Sequence, residues 1–348
     1  MILILTEPED PHADQVVQRL LERGADFIRI DPVQFPENAT VSLSYGKAGE
    51  LQGTLHANGQ VVDLHFLSTV WYRRVLPPVV HKEITDARSR AYVEEECTRY
   101  LSDVWNSLSC LCVPAPPPVI RRAELKASQL KVAGTLGFEL PPTLFTNSPE
   151  EFLEFYRRHN GYIISKLAET GIFRQFGDTF CRYTQVVSKR DVGYARAVRF
   201  CPIILQAYVP KRVELRITVV GEAVFAAEIH SQVSRHTRHD WRRYDWDQTP
   251  YYPHQLPKSV EQQCFQLVKQ LGLCFGAIDM VLTPDGRYVF LEINPNGQYL
   301  WIEKATGLPI SDAICDLLLA APSLKKPEAR DSKHILETND EQPIATSA

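Results

Sequence analysis

The sequence has no long apolar run and no secretion signal. None of its 348 residues lies in a stretch that approaches the ~20 apolar residues of a transmembrane helix. The amino-terminal run Met1–Leu5 is apolar but has no basic residue before it, so we interpret it as a first buried strand and not as a signal peptide. We therefore expect a globular cytoplasmic protein with no membrane partner.

Zinc-site spacing and a glycine-rich nucleotide fingerprint are also missing. The eight cysteines are scattered, and Cys110 and Cys112 are too close in sequence for a zinc ligand pair. Free thiols in a reducing cytoplasm are the simplest interpretation. No glycine follows the first strand, where Thr6–His12 stands instead, so we predict no dinucleotide site there.

Basic residues are concentrated in one segment of an acidic chain. The net charge is -4, yet residues Thr170–Arg243 contain 13 Lys or Arg and six Asp or Glu, a local excess of seven positive charges. Such a segment suggests an anionic ligand: nucleotide phosphates, an acidic peptide or nucleic acid. A solvated basic face is the alternative.

Residues 1–118 have the pattern of an α/β domain. Strand, helix and strand are predicted over Met1–Leu5, Asp14–Arg23 and Phe27–Ile30. Three short antiparallel strands follow, and then a long helix over Ala87–Leu108. The prolines between residues 114 and 118 predict a linker to the rest of the chain.

Two further α+β segments and a polar tail follow the linker. The first contains a strand end and helix over Ile120–Leu136 and a strand over Tyr162–Leu167. The second has strands and helices over Ile203–Val209, Glu214–Val220, Ala223–His230, Ser259–Leu271 and Ser311–Leu319. Residues 322–348 are polar and charged, and we predict a disordered tail.

An acidic hairpin is the most informative stretch. The turn residues Thr283–Gly286 separate two apolar runs. Asp279 lies on the first strand, and Glu292 and Asn294 share one face of the second. Buried carboxylates need a partner or a metal, and this oxygen set suits Mg²⁺ held against phosphates. A solvated strand face is the alternative.

Two lysines and an apolar strand supply candidate nucleotide contacts. Lys126 and Lys166 adjoin apolar sequence, and a desolvated lysine suits phosphate, although either could extend to solvent. The strand Ile203–Val209 runs into a proline-containing link that could hold adenine. Glu214 could accept from ribose hydroxyls and Arg216 could bind a phosphoryl or carboxylate group. A cross-strand ion pair is the alternative for both residues.

The long polar loop Ser231–Pro257 is predicted to be functional or mobile because of its length. The spacing of His230, His236 and His239 matches no closed zinc site. Substrate recognition and ordinary loop chemistry both remain open for the Asp240-Trp241-Arg242 stretch.

The order of these residues resembles the ATP-grasp fold, from residue 120 to residue 320. The block Phe290–Glu303 resembles the metal-binding strand of ligases that add glutamate to peptides and proteins. The stretches Leu205–Gln232 and Phe275–Gly286 are more similar to the microviridin-type macrocyclases, or graspetide synthetases. Residues 1–118 resemble the pre-ATP-grasp domain of that branch.

The resemblance implies an α/β protein in which two α+β subdomains, 119–205 and 206–321, clasp ATP after a pre-ATP-grasp domain. It implies phosphate contacts from Lys126 and Lys166 and charge stabilisation by Arg216 and Lys166. Adenine would be held by Gln206, Ala207, Tyr208 and Val209, and the ribose by Glu214. Mg²⁺ would be bound by Asp279, Glu292 and Asn294.

A peptide substrate is also implied. The leader of a ribosomally made precursor would dock around residues 170–200. Asp240 and Arg242 would engage its acidic core, and His230 and Arg174 are further candidate contacts to the peptide. Asp240 or His230 could act as general base. Arg174 or backbone groups would replace the glycine-rich loop that many ATP-grasp enzymes have at this point. A homodimer is expected from the resemblance alone.

The implied reaction activates Asp or Glu side chains of the precursor as acyl phosphates and joins them to Ser/Thr hydroxyls or Lys amines. An intermolecular ligase that adds an amino acid to a peptide or protein is the alternative. A non-catalytic ATP-binding scaffold would lack a metal ligand or phosphate lysine, and all are present. No stacking motif supports a nucleic-acid partner.

Overall fold

The computed structural model describes residues 1–166, 171–175, 178–182, 184–234, 237–238, 240–241 and 249–320, with only the backbone over 171–175 and 178–182. The predicted tail, 322–348, lies outside the described residues. In the described part of the chain, no helix has both the length and the apolar composition that crossing a bilayer requires.

The first third of the chain forms a parallel sheet and a small antiparallel meander. In chain order its elements are β1 (Ile2–Thr6), α1 (Pro11–Glu22), β2 (Phe27–Ile30), β3 (Ala39–Tyr45), β4 (Leu51–Ala57), β5 (Gln60–Asp63), β6 (Thr69–Arg74), α2 (Ala87–Ser107) and β7 (Leu111–Val113). The parallel sheet has the order β2-β1-β6-β7, and β3-β4-β5 form the meander. The predicted α/β start, the three antiparallel strands and the long helix are confirmed.

Local sequence explains where these elements begin and turn. The Asp10 carboxylate accepts from the His12 N–H at 3.1 Å and caps α1, and Pro11 occupies the first helical turn. Asn58 and Gly59 have φ values of 53° and 70°. Both residues tolerate this left-handed region, so they form the tight turn between β4 and β5.

The proline-rich connection packs against the carboxyl-terminal part of the chain. Ala115 is buried, and the Pro114 carbonyl accepts from the Cys274 N–H at 2.8 Å. Two helices follow, α3 (Pro117–Glu124) and α4 (Lys126–Thr135). The predicted strand end in this stretch was therefore wrong. Proline suits the first turn of a helix, and the apolar residues of α3 follow helical spacing.

The central segment forms an antiparallel sheet. Its elements are β8 (Thr143–Thr146), α5 (Pro149–Arg158), β9 (Ile163–Lys166), β10 (Gly171–Gln175), β11 (Asp178–Arg182), β12 (Gln185–Val186), α6 (Lys189–Gly193) and β13 (Ile203–Ala207). The sheet order is β12-β9-β13-β8, and β10 pairs with β11 as a separate hairpin. Phe152 and Phe155 of α5 pack on Ile163 and Leu205 to form its core.

The last third contains a larger antiparallel sheet. Its elements are β14 (Val213–Val220), β15 (Ala223–Ile229), β16 (Tyr251–Pro253), α7 (Lys258–Gln270), β17 (Phe275–Leu282), β18 (Tyr288–Asn294), α8 (Leu300–Thr306) and α9 (Ile310–Leu319). The strand order is β16-β15-β14-β17-β18. The predicted hairpin is β17–β18. Strand β16 and helix α8 are additions that the apolar pattern did not indicate.

The two faces of this sheet have different neighbours. Alternate residues of β14 over Val213–Val219 pack in one core with residues of α3, α4 and α7. Val220, on the other face, packs in a second core with α9 and with Trp71 of the amino-terminal sheet. Glu214 and Arg216 alternate with the first set, so they share the face of Val220. The site is built on the face that Glu214 and Arg216 share, in the amino-terminal half of β14.

Candidate active site

A cleft opens between the central and the carboxyl-terminal sheets. Its walls come from β9, β13, β14, β17, β18 and the connection after β13. Nine of the residues predicted from sequence line it: Lys166, Gln206, Ala207, Tyr208, Val209, Glu214, Asp240, Asp279 and Glu292.

The connection after β13 forms one edge of the cleft and is anchored at its start. The Tyr208 N–H donates to the Tyr162 carbonyl at 2.9 Å. Gln206 is buried, and its Nε2 donates to Thr143 Oγ1 at 3.0 Å. Its Oε1 has no hydrogen-bond partner among the described residues. Buried acceptors are nearly always satisfied, and an amino group of a bound base would satisfy this one.

Glu214 is a buried carboxylate at the same end of the cleft. Lys211 Nζ lies 3.1 Å from its Oε1, and Ser231 Oγ donates to that oxygen at 2.7 Å. Burial raises the pKa of the Glu214 carboxyl, and Lys211 opposes this rise. Glu214 therefore pairs with Lys211 and not with Arg216 across the strands.

The acidic face, which consists of Asp279, Glu292 and Asn294, is assembled as predicted from the hairpin. Asp279 and Glu292 are register partners on β17 and β18, and Asn294 lies two residues beyond Glu292 on the same face. Arg216, the register partner of Asp279 on β14, donates through Nη1 to both Asp279 oxygens at 2.8 Å. Lys126 Nζ lies 2.9 Å from Glu292 Oε2. Each carboxylate thus has a cationic partner.

The donor set on this face fits Mg²⁺ bound together with phosphates. It consists of two carboxylates and one amide oxygen, all hard ligands. Among the described residues no group of three or more His, Cys, Asp or Glu is arranged to hold a metal by itself. Mg²⁺ is usually bound by one or two carboxylates together with substrate phosphates and water, and this donor set fits that arrangement.

The two lysines reach the site by different routes. Lys126 is the first residue of α4 and reaches Glu292, although it does not itself line the cleft. Lys166 is the last residue of β9 and is part of the cleft wall. The first turn of a helix and the end of a strand thus bring both cations toward the acidic face.

Asp240 and Trp241 connect the loop after β15 to the cleft. Asp240 is buried, and its Oδ2 accepts from the Thr184 N–H at 2.9 Å, which links the loop to the central segment. The Trp241 ring has the Arg216 guanidinium 5.5 Å from its centroid and packs against the tilted ring of Trp301 at a centroid distance of 4.7 Å. The aromatic face stabilises the guanidinium by a cation–π contact.

The structure does not bring every predicted residue into the cleft. His230 pairs through Nε2 with Glu228 Oε2 at 2.9 Å. Glu228 is the register partner of Leu215, whereas Ile229 is that of Glu214, so Glu228 and Glu214 project from opposite faces of the sheet. Because His230 binds Glu228, its imidazole lies away from the acidic face.

Two other predicted contacts are not described. Arg242 lies outside the described residues, and only the backbone of Arg174, in β10, is described. Sequence reasoning also missed Lys211 and Trp241 as cleft residues. The position of Lys211 three residues before Glu214 was an available signal, whereas no local pattern indicated that Trp241 would contact Arg216.

Comparison with known proteins gives the family. Residues 1–116 match the family model of the MvdD pre-ATP grasp domain. The chain is 32% identical to macrocyclase MdnC from Microcystis aeruginosa MRC, whose crystal structure is bound with precursor peptide MdnA; 92% of this chain and 99% of that chain are covered, with a TM-score of 0.81. A search of curated proteins finds no match.

Two further solved structures agree with this assignment. A RiPP-associated ATP-grasp ligase from Chryseobacterium gregarium, in complex with ADP and a leader and core peptide, is 32% identical, covers 92% and 97% of the two chains and has a TM-score of 0.84. Macrocyclase MdnB from Microcystis aeruginosa MRC is 34% identical, covers 91% and 98%, and has a TM-score of 0.76. The chain belongs to the RiPP-associated ATP-grasp ligases.

Membership of this family confirms the predicted ATP-grasp fold, the amino-terminal pre-ATP-grasp domain and the ligase class. In this ATP-grasp ligase the cleft is lined or bordered by the cations Lys126, Lys166, Lys211 and Arg216. Positive groups fixed in a partly buried site stabilise charge that develops on phosphoryl oxygens. The arrangement is therefore suited to phosphoryl transfer to a carboxylate.

Proposed function

We propose that this ATP-grasp ligase is a macrocyclase that links side chains within a ribosomally made precursor peptide. The observation that carries this proposal is the presence of two features in one cleft. They are the end of strand β13, where the buried Gln206 Oε1 has no partner among the described residues, and an acidic face paired with cations. The relatives described as bound to precursor, leader or core peptides support a peptide as the substrate.

In the first step, an Asp or Glu side-chain carboxylate of the precursor attacks the γ-phosphorus of ATP. The bond from the γ-phosphorus to the bridging oxygen breaks, and an acyl phosphate and ADP form. Gln206 to Val209 hold adenine and Glu214 the ribose. Lys126, Lys166 and Arg216 stabilise the charge on the transferring phosphoryl group.

Asp279, Glu292 and Asn294 would hold the Mg²⁺ that accompanies ATP. When bound there, the metal screens the phosphate charges and polarises the γ-phosphoryl group. Arg216 and Lys126 are the present partners of the two carboxylates. Nucleotide binding would let these two cations exchange carboxylate oxygens for phosphate oxygens, so that no charge is left unpaired.

In the second step, a Ser or Thr hydroxyl or a Lys amine of the same peptide attacks the acyl carbon and phosphate leaves. The product is an ω-ester or an ω-amide, and each ring removes the elements of one water from the peptide. Asp240 lies in the cleft and is the general-base candidate that its position supports. The position of His230 beside Glu228 argues against that role for the imidazole.

The peptide would approach from the central segment. The excess of basic residues between Thr170 and Arg243 fits an acidic core, with the leader docked around residues 170–200. Arg174, Asp240 and Arg242 are the proposed core contacts. A cytoplasmic location, expected from the scattered cysteines, and a homodimer, expected from the resemblance, remain part of this proposal.

Mass spectrometry of a precursor incubated with the protein, ATP and Mg²⁺ tests the proposal. Precursor candidates are small peptides encoded beside this gene, with acidic residues and Ser, Thr or Lys near the carboxyl end. We expect the peptide mass to fall by one water per ring, with matching ADP formation. An added amino-acid mass would favour the intermolecular ligase. If none of the neighbouring peptides loses mass in the presence of ATP, macrocyclisation is contradicted.

A further inference from the structure

Arg73 is a buried arginine at the carboxyl end of β6, with 2% of its surface exposed. Strand β6 lies between β1 and β7 in the parallel sheet, and the carboxyl ends of such strands are where α/β domains place functional groups. Its neighbour Arg74 is partly exposed and pairs with Glu7. Arg73 belongs to the amino-terminal domain and is not part of the cleft described above.

The guanidinium of Arg73 joins this domain to the turn after β18. Its Nη1 donates to the Asn296 carbonyl at 2.6 Å, and its Nε lies 3.5 Å from Asp10 Oδ2. The Asp10 carboxylate is itself held by Thr6 Oγ1 at 2.9 Å and by the His12 N–H at 3.1 Å. The start of α1 therefore fixes the carboxylate that orients Arg73.

Arg216 holds the same turn from the other side. Its Nη2 donates to the Gln298 carbonyl at 3.0 Å, and the Gly297 N–H donates to the Asn294 carbonyl at 3.2 Å. A Cβ added to Gly297 would lie 3.2 Å from Arg216 Nη2 and 2.2 Å from a side-chain carbon of β17. The turn is thus packed directly on the acidic face, between Arg73 and Arg216.

The incomplete hydrogen bonding of Arg73 argues against a role in stability alone. Its Nε and Nη2 have no hydrogen-bond partner among the described residues. Burying a guanidinium with unmatched N–H groups is costly, and well-packed apolar residues are often at least as stabilising. Trp71, two residues earlier on β6, is such an apolar residue in the second core. The cost of Arg73 points to a need for its planar, charged fork.

We propose that Arg73 is a positioning residue for phosphoryl transfer. It fixes the turn over residues 295–298. The position of this turn orients two groups of the acidic face: Arg216, which holds Asp279, and Asn294, which ends β18. The amino-terminal domain then takes part in the ATP-dependent step without touching the nucleotide. The inference rests on one part of the proposed function, namely that the acidic face binds Mg²⁺ together with the nucleotide.

The test compares Arg73→Met and Arg73→Lys with Arg74→Met, which removes the same charge from the adjacent, partly exposed position. Calorimetry measures ADP binding over a range of Mg²⁺ concentrations in the absence of peptide. We expect Arg73→Met to raise the Mg²⁺ concentration for half-maximal ADP binding about 10- to 100-fold, as for other residues that orient metal ligands. Arg73→Lys should show most of this defect, and Arg74→Met none.

Thermal melting and peptide turnover complete the experiment. We expect kcat of Arg73→Met for ADP formation with peptide to fall about 100-fold, the effect of misplacing reacting groups by roughly 1 Å. An unchanged Mg²⁺ dependence in Arg73→Lys, and in Arg73→Met if it folds, would mean a structural role only and would overturn the proposal. If the protein without substitutions binds ADP with Mg²⁺ but closes no ring, the proposed function is contradicted. The test of Arg73 remains valid in that case, because it measures ADP and Mg²⁺ binding without peptide.

Discussion

At the scale of single residues, six charged side chains in and beside the cleft form three ion pairs: Lys126 with Glu292, Arg216 with Asp279, and Lys211 with Glu214. Their members are buried or half-buried, and breaking such a pair by removing one partner leaves an uncompensated charge. The pairing keeps six charged groups in a small volume at low cost.

Glu292→Gln removes one carboxylate of the proposed metal pair and keeps the shape of the side chain. We expect ADP formation with precursor to fall at least about 100-fold, since a preorganised charge is lost. We also expect a lower melting temperature, because Lys126 loses its ion-pair partner. Glu139→Gln is the matched control, because Glu139 pairs with Arg287 on the surface. Unimpaired ADP formation by Glu292→Gln would exclude Glu292 from the metal site.

His12 predicts a pH dependence of stability. Burial lowers the pKa of its imidazole from 6.5 to about 3, and the charge of Arg73 adds to this effect while Asp10 opposes it. Between pH 3 and pH 6.5 the His12 imidazole therefore binds a proton in the unfolded chain but not in the folded chain. Stability should therefore fall as the pH decreases from 6.5, by at most about 1.4 kcal/mol per pH unit.

Urea unfolding between pH 7 and pH 5 measures this slope. We expect His12→Gln to flatten it, and His65→Gln, at an exposed position, to leave it unchanged. An identical slope in the protein and in His12→Gln would mean that His12 titrates normally when folded.

At the scale of elements, the hairpin β17–β18 and the turn that follows it determine the site. Register pairing sets Asp279 opposite Glu292, and the neighbouring strand β14 sets Arg216 opposite Asp279. The period of a strand made the shared face of Glu292 and Asn294 predictable. The pairing of β14 with β17 joins segments far apart in the chain, so the partner of Asp279 was not predictable.

Gly297→Ala tests the packing of the turn on this hairpin. The new Cβ would lie 2.2 Å from the Ala277 Cβ, so the backbone must move. We expect a loss of about 1–3 kcal/mol of stability, as for other overpacked sites, together with reduced ADP formation because Arg216 is displaced. Gly193→Ala, whose Cβ would meet nothing within 4 Å, should not be destabilising. Equal stability of both variants would show that the turn is free to shift.

At the scale of the whole molecule, the amino-terminal domain and the carboxyl-terminal sheet share one core. Ile4 and Trp71 pack in the same cluster as Val220, Phe275 and Ile314. The Thr69 hydroxyl donates to the Leu318 carbonyl at 2.9 Å, and Arg19 pairs with Glu303 at 2.9 Å. Residues at opposite ends of the chain therefore stabilise each other, and we expect them to unfold together.

Ile314→Ala tests this shared core. The residue lies in α9 and is 1% exposed, so we expect a loss of about 2–5 kcal/mol. Hydrogen exchange should become faster in β1 of the amino-terminal domain as well as in β14. Leu319→Ala, at a position that is 41% exposed, is the matched control and should have little effect. Faster exchange confined to the carboxyl-terminal sheet would contradict a common core.

Most of the elements and eight of the nine cleft residues could be predicted because their signals are local, and the family resemblance added Asp240. Strand alternation, helix caps and the Asn58-Gly59 and Thr283–Gly286 turns depend on neighbouring residues. The failures have a common cause. Helix α8 and the position of His230 on the opposite sheet face depend on contacts with distant residues. The predicted domain boundaries remain predictions.

The amino-acid sequence alone determined the order of strands and helices, the face on which Glu292 and Asn294 lie, and the resemblance to ATP-grasp ligases. The first two properties follow from periodicity and turn chemistry over a few residues, and the third rests on the similarity of particular sequence stretches to that family. Only the tertiary structure decided that Arg216 pairs with Asp279, that Lys211 pairs with Glu214, and that Arg73 holds the turn after β18. Such pairings depend on which distant segments become neighbours when the sheets form, and short-range patterns do not encode that choice.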